Sequence, residues 1–397
     1  MKALDKEIWI VAAKRTPFGE FAQSFKDLSA IDLAVISTKA ALAQAGIAPE
    51  EVDQVILGNV QQTSKDAIYG ARHVGLKAGI PIDRPALTVN RLCGSGFQAV
   101  ISAAEQILLG EARVVVAAGA ENMSQAPHAI WGLREGGVRF GKPPELVDTL
   151  WAALHDTYAG LPMAMTAEKL GEKYGITREA CDAFALRSQL RWAAWWESGA
   201  WKEEVVPVEV PDKKGTRLVE RDEHPRSTSL EQLAKLPPVF KKDGLVTAGN
   251  ASGINDGAAT LIVADARWAE SRGIAPLARI VQWGVAGVEP SIMGIGPAPA
   301  IRLALERAGL TMKDIDLFDI NEAFAAQFLA VEKELGLDPE RTNVNGGAIA
   351  LGHPLGASGA RITANLIYTL RRRALRYGVG SACIGGGQGI ALIVERM

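Results

Sequence analysis

The amino-acid sequence predicts an α/β protein in which one fold is written twice, with a lobe inserted into the first copy. Three observations carry this: a constant offset between distant segments, alternating helix-like and strand-like runs in both copies, and one late change of offset. Ala41-Leu-Ala-Gln-Ala-Gly-Ile47 returns as Ala304-Leu-Glu-Arg-Ala-Gly-Leu310, 263 residues on. At the same offset Glu51-Val52-Asp53 meets Asp314-Ile315-Asp316, and Leu92-Cys-Gly-Ser-Gly96 meets Leu355-Gly-Ala-Ser-Gly359. Such self-similarity is the mark of a duplicated unit. The offset falls to 131 where Leu261-Ile-Val263 matches Leu392-Ile-Val394, so the first copy holds a net 132 extra residues between Glu121 and Ala248.

The elements follow in order. Ser29 with Asp32 forms a capping-box pattern, apolar positions keep helical spacing to Leu42, and Gly46 is a helix stop. Val52 to Leu57 then reads as a short strand. The second copy repeats this, with Pro297 and Pro299 near a helix start, Gly309 at its end, and a strand-like run from Ile315 to Ile320. Helix and strand in alternation predict parallel βα units. The predicted division is 1–120 with 249–275, an inserted lobe at 121–248, and a second half at 276–397.

Bulk properties set the limits. A chain of 397 residues with 48% hydrophobic and 22% charged residues is of ordinary globular composition and exceeds a single core. A net charge of −2 excludes a global field for nucleic acid, so an anionic ligand must meet a local patch. Three cysteines, an odd number, point away from a disulfide framework and toward a reducing compartment. The first ten residues lack the features of a signal peptide, and no later run is expected to span a membrane; the expected location is cytoplasmic. No histidine pair has metal-ligand spacing, and neither a dinucleotide fingerprint nor a phosphate loop is present.

The lobe carries Trp131, Trp151, Trp192, Trp195, Trp196 and Trp201. Trp192, Trp195 and Trp196 share one helical face, which predicts packing. The richest cationic run lies here too, in Lys213, Lys214, Arg217, Arg221, Arg226, Lys241 and Lys242. It is either a solvated surface or a contact for a phosphate-bearing ligand.

Chemistry concentrates at strand-to-helix corners. Cys93, in Cys93-Gly-Ser-Gly96, lies between a strand-like run from Ala86 to Arg91 and an apolar helix from Phe97 to Leu109. A helix N-terminus presents free N–H groups and a positive dipole end, and a thiolate there is stabilised as a nucleophile. The competing reading is a buried cysteine serving as a small hydrophobe. In the second copy Asn321 closes a strand and Glu322-Ala-Phe324 is expected to open a helix, which makes Asn321 an N-cap candidate as well. His353 sits in a glycine-dense stretch before a helix ending in Arg371, Arg372 and Arg373, and Cys383 ends a strand before a glycine turn. Cys93 corresponds to Gly356 and Cys383 to Ala120, so the two copies bring different chemistry to strand ends, where open α/β sheets bind ligands. His73, His128, His155 and His224 are isolated and read as structural or surface residues; Cys181 reads as packing.

The chain closely resembles the thiolase family over essentially its whole length. The resemblance rests on Asn90-Arg-Leu-Cys-Gly-Ser-Gly96, Gly249-Asn-Ala-Ser-Gly253, Asn321-Glu-Ala-Phe324, Gly346-Gly-Ala-Ile-Ala-Leu-Gly-His-Pro354 and Cys383-Ile-Gly-Gly-Gly-Gln-Gly389, in that order. It implies two similar halves in α-β-α-β-α layers, and an acyltransferase acting on 3-ketoacyl-CoA and CoA, with no cofactor or metal beyond coenzyme A as co-substrate. It implies that Cys93 is acylated, that His353 activates Cys93 and then CoA, and that Cys383 exchanges the α-proton. Asn321 holds a water at one oxyanion site, and the N–H groups of Cys93 and Gly385 form the other. CoA contacts carry over to Arg226 and Ser252, with Met163, Ala248, Ala323 and Phe324 along the pantetheine tunnel. Acetoacetyl-CoA-forming members carry His-Met where this chain has Pro162-Met163, which favours the degradative β-oxidation type over the biosynthetic one. A related decarboxylating synthase normally has a second histidine in place of Cys383, and a non-catalytic CoA- or lipid-binding relative would lack a catalytic residue. The resemblance further implies a homodimer or homotetramer, and β-oxidation enzymes as possible partners.

Overall fold

The computed structural model describes residues 4–212 and 215–397; Lys213 and Lys214 of the cationic run lie outside them. The first copy contributes β1 (Ile8–Arg15), α1 (Ala30–Ala45), β2 (Gln54–Gly58), α2 (Gly70–Ala78), β3 (Ala86–Val89), α3 (Ser95–Leu109) and β4 (Val114–Asn122). Helices α4 (Met163–Tyr174) and α5 (Arg178–Glu197) belong to the lobe, after which β5 (Asn255–Asp265) returns to the sheet. The second copy supplies β6 (Ala278–Gly287), α6 (Pro297–Ala308), β7 (Leu317–Ile320), α7 (Ala325–Leu335), α8 (Leu355–Arg372), β8 (Tyr377–Ile384) and β9 (Gln388–Arg396).

The strands form one mixed sheet in the order β7-β8-β9-β6-β1-β5-β4-β2-β3, with the short strand Gly19–Glu20 added beside β5. The expected parallel βα units are present in β2·β3, β2·β4 and β7·β8, while β1, β5, β6 and β9 join antiparallel. Both sequence offsets reappear in the registers. Ala120 pairs with Ala258 in the first half, and Cys383 with Gly389 in the second. Adding 263 to the first member and 131 to the second converts one pair into the other.

The halves meet about a local two-fold axis, where β1 pairs antiparallel with β6 through Trp9↔Arg279 and Ile10↔Ala278. Helices α3 and α8 cross between the layers at Gly96 and Gly359, which are also 263 apart. A Cβ on Gly359 would stand 2.2 Å from the Phe97 nitrogen, and one on Gly96 2.6 Å from the Ala360 nitrogen. Only glycine permits this approach. The central apolar core lies around these two helices; a second core packs α1 and α2 on one outer face, and a third packs α6, α7 and the lobe on the other. With the two halves of the sheet counted separately on either side of α3 and α8, these make the expected five layers.

Local rules account for the helix ends. Ser29 and Asp32 close the predicted capping box, and Gly46 takes φ 64°. Trp192 and Trp195 are buried against Phe18, Ala350, Leu351 and Ala357, which makes the tryptophan face a packing face. Two expectations are corrected. By length and composition Leu92–Leu109, with mean hydropathy 1.2, does reach the range of a membrane-crossing helix; its apolar side chains pack instead into the central core. Glu322 does not open a helix: α7 starts at Ala325, because Ser252 N–H donates to the Ala323 carbonyl, Ala325 N–H donates to the Asn250 carbonyl, and Phe324 bridges Ala251.

Candidate active site

Cys93 occupies a short 3₁₀ turn, Leu92–Gly94, between β3 and α3. The sharp residue in this turn is Leu92, at φ 47°, rather than a glycine. Asn90 holds it: its Oδ1 accepts from Leu92 N–H at 2.9 Å while its Nδ2 donates to the Val60 carbonyl at 3.2 Å. Ser95 Oγ accepts from Arg91 N–H and donates to the Leu92 carbonyl. The turn is pressed on the end of β8, since a Cβ on Gly94 would lie 2.6 Å from Ile384 Cδ1.

The electrostatics differ from the sequence-based expectation of a stabilised thiolate. Burial pushes the Cys93 thiol up from 9.0 to about 11, although the N–H groups of Gly385 and of Cys93 itself donate to the sulfur and oppose the shift. Glu121 adds a smaller push in the same direction. At neutral pH the resting group is a thiol, with a thiolate fraction on the order of 10⁻⁴. A base must therefore take the proton as attack occurs.

His353 is placed for that. It is 5% exposed, and burial, followed by the Arg361 charge, lowers its pKa to about 3, so it is neutral at pH 7. Its Nδ1 is 2.6 Å from Ser358 Oγ, and Ser358 Oγ donates to the Pro354 carbonyl at 2.9 Å. With that hydroxyl proton committed, Nδ1 carries the ring proton and donates to Ser358. Nε2 is left as the acceptor, taking the Asn321 Nδ2 donor at 3.3 Å. The backbone N–H of His353 is fixed on Asn255 Oδ1 at 3.2 Å. Asn321 thus serves the imidazole rather than a helix end, and its buried Oδ1 finds no donor among the described residues.

Cys383 is fully buried at the end of β8, within electrostatic reach of Cys93 and packed with Met163, Met293, Ala323 and Phe324. Burial, then the neighbouring Cys93 sulfur, push its thiol up, so it is held protonated.

Cys93 and His353 line one apolar pocket of about 220 Å³, with Met123, Leu154, Pro162, Met163, Met293, Phe324 and Leu355 in its walls. Trp151 and Phe240, both part-exposed, stack parallel at its rim, 6.3 Å between ring centroids. Of the contacts expected for coenzyme A, Met163, Ser252, Ala323 and Phe324 line this pocket. Arg226 and Ala248 do not; both are exposed, and the Arg226 guanidinium donates to buried His224 Nε2 at 3.3 Å. The remaining cations disperse, with Arg221 over the rings of Trp192 and Trp196 and Lys241 paired with Glu172. Among the described residues no group of three or more His, Cys, Asp or Glu converges as a metal site.

Sequence reading missed Ser358, Asn255, Glu121 and Met293. Ser358 had left a signal, for it is the duplicate of Ser95, and both hydroxyls donate to a carbonyl three or four residues back.

Comparison with known proteins places the chain in a family. Residues 8–267 match the family described as Thiolase, N-terminal domain, and 274–396 match Thiolase, C-terminal domain. The chain is 56% identical to the mitochondrial 3-ketoacyl-CoA thiolase of Mus musculus, over 99% of each chain. It is 48% identical to an acetyl-CoA acetyltransferase of Syntrophomonas wolfei, over 99% of this chain and 100% of that one. The crystal structure of human mitochondrial 3-ketoacyl-CoA thiolase in complex with CoA superposes with a TM-score of 0.97 at 56% identity, over 100% of this chain and 99% of that one.

Proposed function

This chain belongs to the thiolase family, and from that premise we propose that it is an acyltransferase that cleaves 3-ketoacyl-CoA with CoA, giving acetyl-CoA and a shortened acyl-CoA. CoA is the co-substrate, and the chemistry uses no further cofactor. The observation that carries the reading is the convergence of Cys93 and His353 on one apolar pocket with the Cys383 thiol beside Cys93.

Each step follows from a protonation state. His353 Nε2 takes the Cys93 proton as the sulfur attacks the 3-keto carbon. The resulting oxyanion, on the carbon bonded to the Cys93 sulfur, meets the N–H groups of Cys93 and Gly385 that already contact that sulfur. The carbon–carbon bond breaks, and the Cys383 S–H delivers a proton to the acetyl-CoA carbanion. The thioester oxygen of that unit meets the Asn321–His353 side of the pocket, through a water that rests on Asn321 Oδ1. The proton that His353 took from Cys93 then passes to the Cys383 thiolate. CoA loses its thiol proton to the neutral His353 and opens the acyl-cysteine, and that proton returns to the departing Cys93 thiolate. Acyl transfer runs from one thioester to another, so the second half-reaction is nearly balanced.

The degradative type is favoured over acetoacetyl-CoA synthesis because Pro162, which has no side-chain donor, completes an apolar wall. Thiolysis rates for 3-ketoacyl-CoA substrates of increasing length are expected to extend well beyond the four-carbon compound. Activity restricted to that compound would reverse the assignment. Arg226 and Ser252 are assigned to CoA, with Met163, Ala248, Ala323 and Phe324 along its pantetheine arm; the two exposed residues, Arg226 and Ala248, serve the entrance.

Ser358→Ala leaves Nδ1–H without its acceptor and frees the other tautomer, so kcat is expected to fall about tenfold with the KM for CoA little changed. Steady-state kinetics on a variant of parental melting temperature checks this; an unchanged kcat would remove Ser358 from the assembly.

The division into 1–120 with 249–275, the lobe 121–248 and 276–397 is retained, with the lobe serving CoA and subunit contacts. The assembly is a homodimer or homotetramer, located in the cytoplasm, or in the mitochondrial matrix of a eukaryotic cell, where a hydratase–dehydrogenase partner supplies 3-ketoacyl-CoA.

A further inference from the structure

A duplicated fold has two equivalent corners, and only one holds the cysteines. The second can be located, because the offset of 263 carries Cys93 to Gly356 and Cys383 to Ala120. At that corner the chain is packed shut: a Cβ on Gly356 would stand 2.6 Å from the carbonyl oxygens of Ala120 and Gly58. The carboxyl group that fills it belongs to Glu121, which is fully buried at the end of β4.

Four donors converge on this carboxyl. Its Oε1 accepts from Gln61 N–H at 2.9 Å and from Asn59 Nδ2 at 3.2 Å; its Oε2 accepts from Gly356 N–H at 2.9 Å and from Val60 N–H at 3.2 Å. All four are N–H groups, a donor set that favours an ionised carboxylate, while burial outweighs them and pushes Glu121 up from 4.5 to about 7. From Val60 the chain of bonds continues through its carbonyl to Asn90, and from Asn90 to Leu92 N–H, one residue before Cys93. On the other side Gly356 stands three residues after His353, inside the turn that Ser358 fixes to the imidazole.

We propose that Glu121 is a positioning residue that registers the Cys93 turn against the His353 turn and, when ionised, sets a negative charge near the Cys93 sulfur. This rests on the reading of Cys93 and His353 as the reacting pair. The ionisable groups around the carboxylate are Asp256 and Cys93, while Cys93 faces Glu121, Cys383 and His353; among these Glu121 and Asp256 are the carboxyl groups. A negative charge disfavours a second one nearby, so neutralising Glu121 makes the Cys93 thiolate easier to form.

The test compares Glu121→Gln with Glu121→Asp in the full chain. Alkylation of Cys93 by iodoacetamide is followed across pH by mass spectrometry of its peptide, alongside thiolysis kinetics. Glu121→Gln is expected to move the alkylation midpoint to lower pH and to reduce kcat about tenfold or more, with the KM for CoA little changed. Glu121→Asp, charged but one methylene short, is expected to keep the alkylation profile and still lose kcat. An unmoved midpoint in Glu121→Gln, or parental kcat in both variants, would overturn the proposal. Should Glu121→Gln fail to fold, Asn59→Ala withdraws one donor, weakens the hold on the carboxylate and is expected to shift the midpoint in the same direction; no shift there would count equally against it. The alkylation readout does not require turnover. If thiolysis proves independent of Cys93, it is the function that falls, and the charge effect remains measurable.

Discussion

Cys93→Ser is expected to lower kcat/KM for thiolysis by about 10⁴-fold or more, with little change in melting temperature. The serine fits the same 3₁₀ turn, so the fold has no reason to respond. The reaction does. The pocket that moves the Cys93 thiol from 9.0 to about 11 penalises any anion at this position, and a hydroxyl begins far above a thiol. His353, neutral and with a pKa of about 3, is too weak a base to compensate. The intermediate changes character as well: an acyl-serine is an oxygen ester, and CoA would have to convert it uphill into a thioester. Loss of 3-ketoacyl-CoA in the presence of CoA, followed for parent and variant, checks this. Parental turnover would remove Cys93 from the mechanism, and with it the enzyme reading in favour of a CoA-binding relative.

The sign of the Cys93 shift also shows where sequence reasoning reached its limit. Position at a helix start was legible from Gly94, Ser95 and Gly96, and it argued for a stabilised thiolate. A helix N-terminus contributes at most about 2 kcal/mol to a nearby anion. The net upward shift corresponds to about 3 kcal/mol the other way. Burial wins, and burial depends on Ile384 and its neighbours from the other half of the chain, which no local pattern reveals. The same reason hid Glu121, whose donors come from Asn59, Gln61 and, across the interface between the halves, Gly356.

The duplicated architecture was legible because duplication leaves a numerical trace, and the paired registers of Ala120 with Ala258 and Cys383 with Gly389 carry the same two offsets. Cys93, His353 and Cys383 were legible as side chains that break the repeat. Asn321 was legible as a corner residue with two roles open to it, since an N-cap and an imidazole partner have the same local sequence; the extended path of Glu322 to Phe324 along Ala251 separates them. Arg226 and Ala248 lie outside the pocket because the pattern that named them records order along the chain and not depth.

Cys383→Ser separates the two cysteines and is expected to lower turnover roughly 10²–10⁴-fold, as befits loss of a positioned general acid, while Cys93 still accepts an acetyl group from acetyl-CoA. The separation follows from where each sulfur stands. Acetylation of Cys93 needs its own thiol, His353 as acceptor and the N–H groups that already contact the sulfur; Cys383 takes no part in it. Cleavage of the carbon–carbon bond creates a carbanion instead, which must be protonated as it forms. The fully buried Cys383 thiol, kept protonated by its surroundings and by Cys93, is held for that one transfer. A serine hydroxyl occupies the space but is a weaker acid. Two measurements are therefore expected to part company: exchange of the acetyl-CoA α-protons with solvent falls with turnover, whereas the mass of Cys93 peptides still records acetylation. Loss of both together would mean that Cys383 supports the Cys93 turn structurally, and that the proton comes from elsewhere.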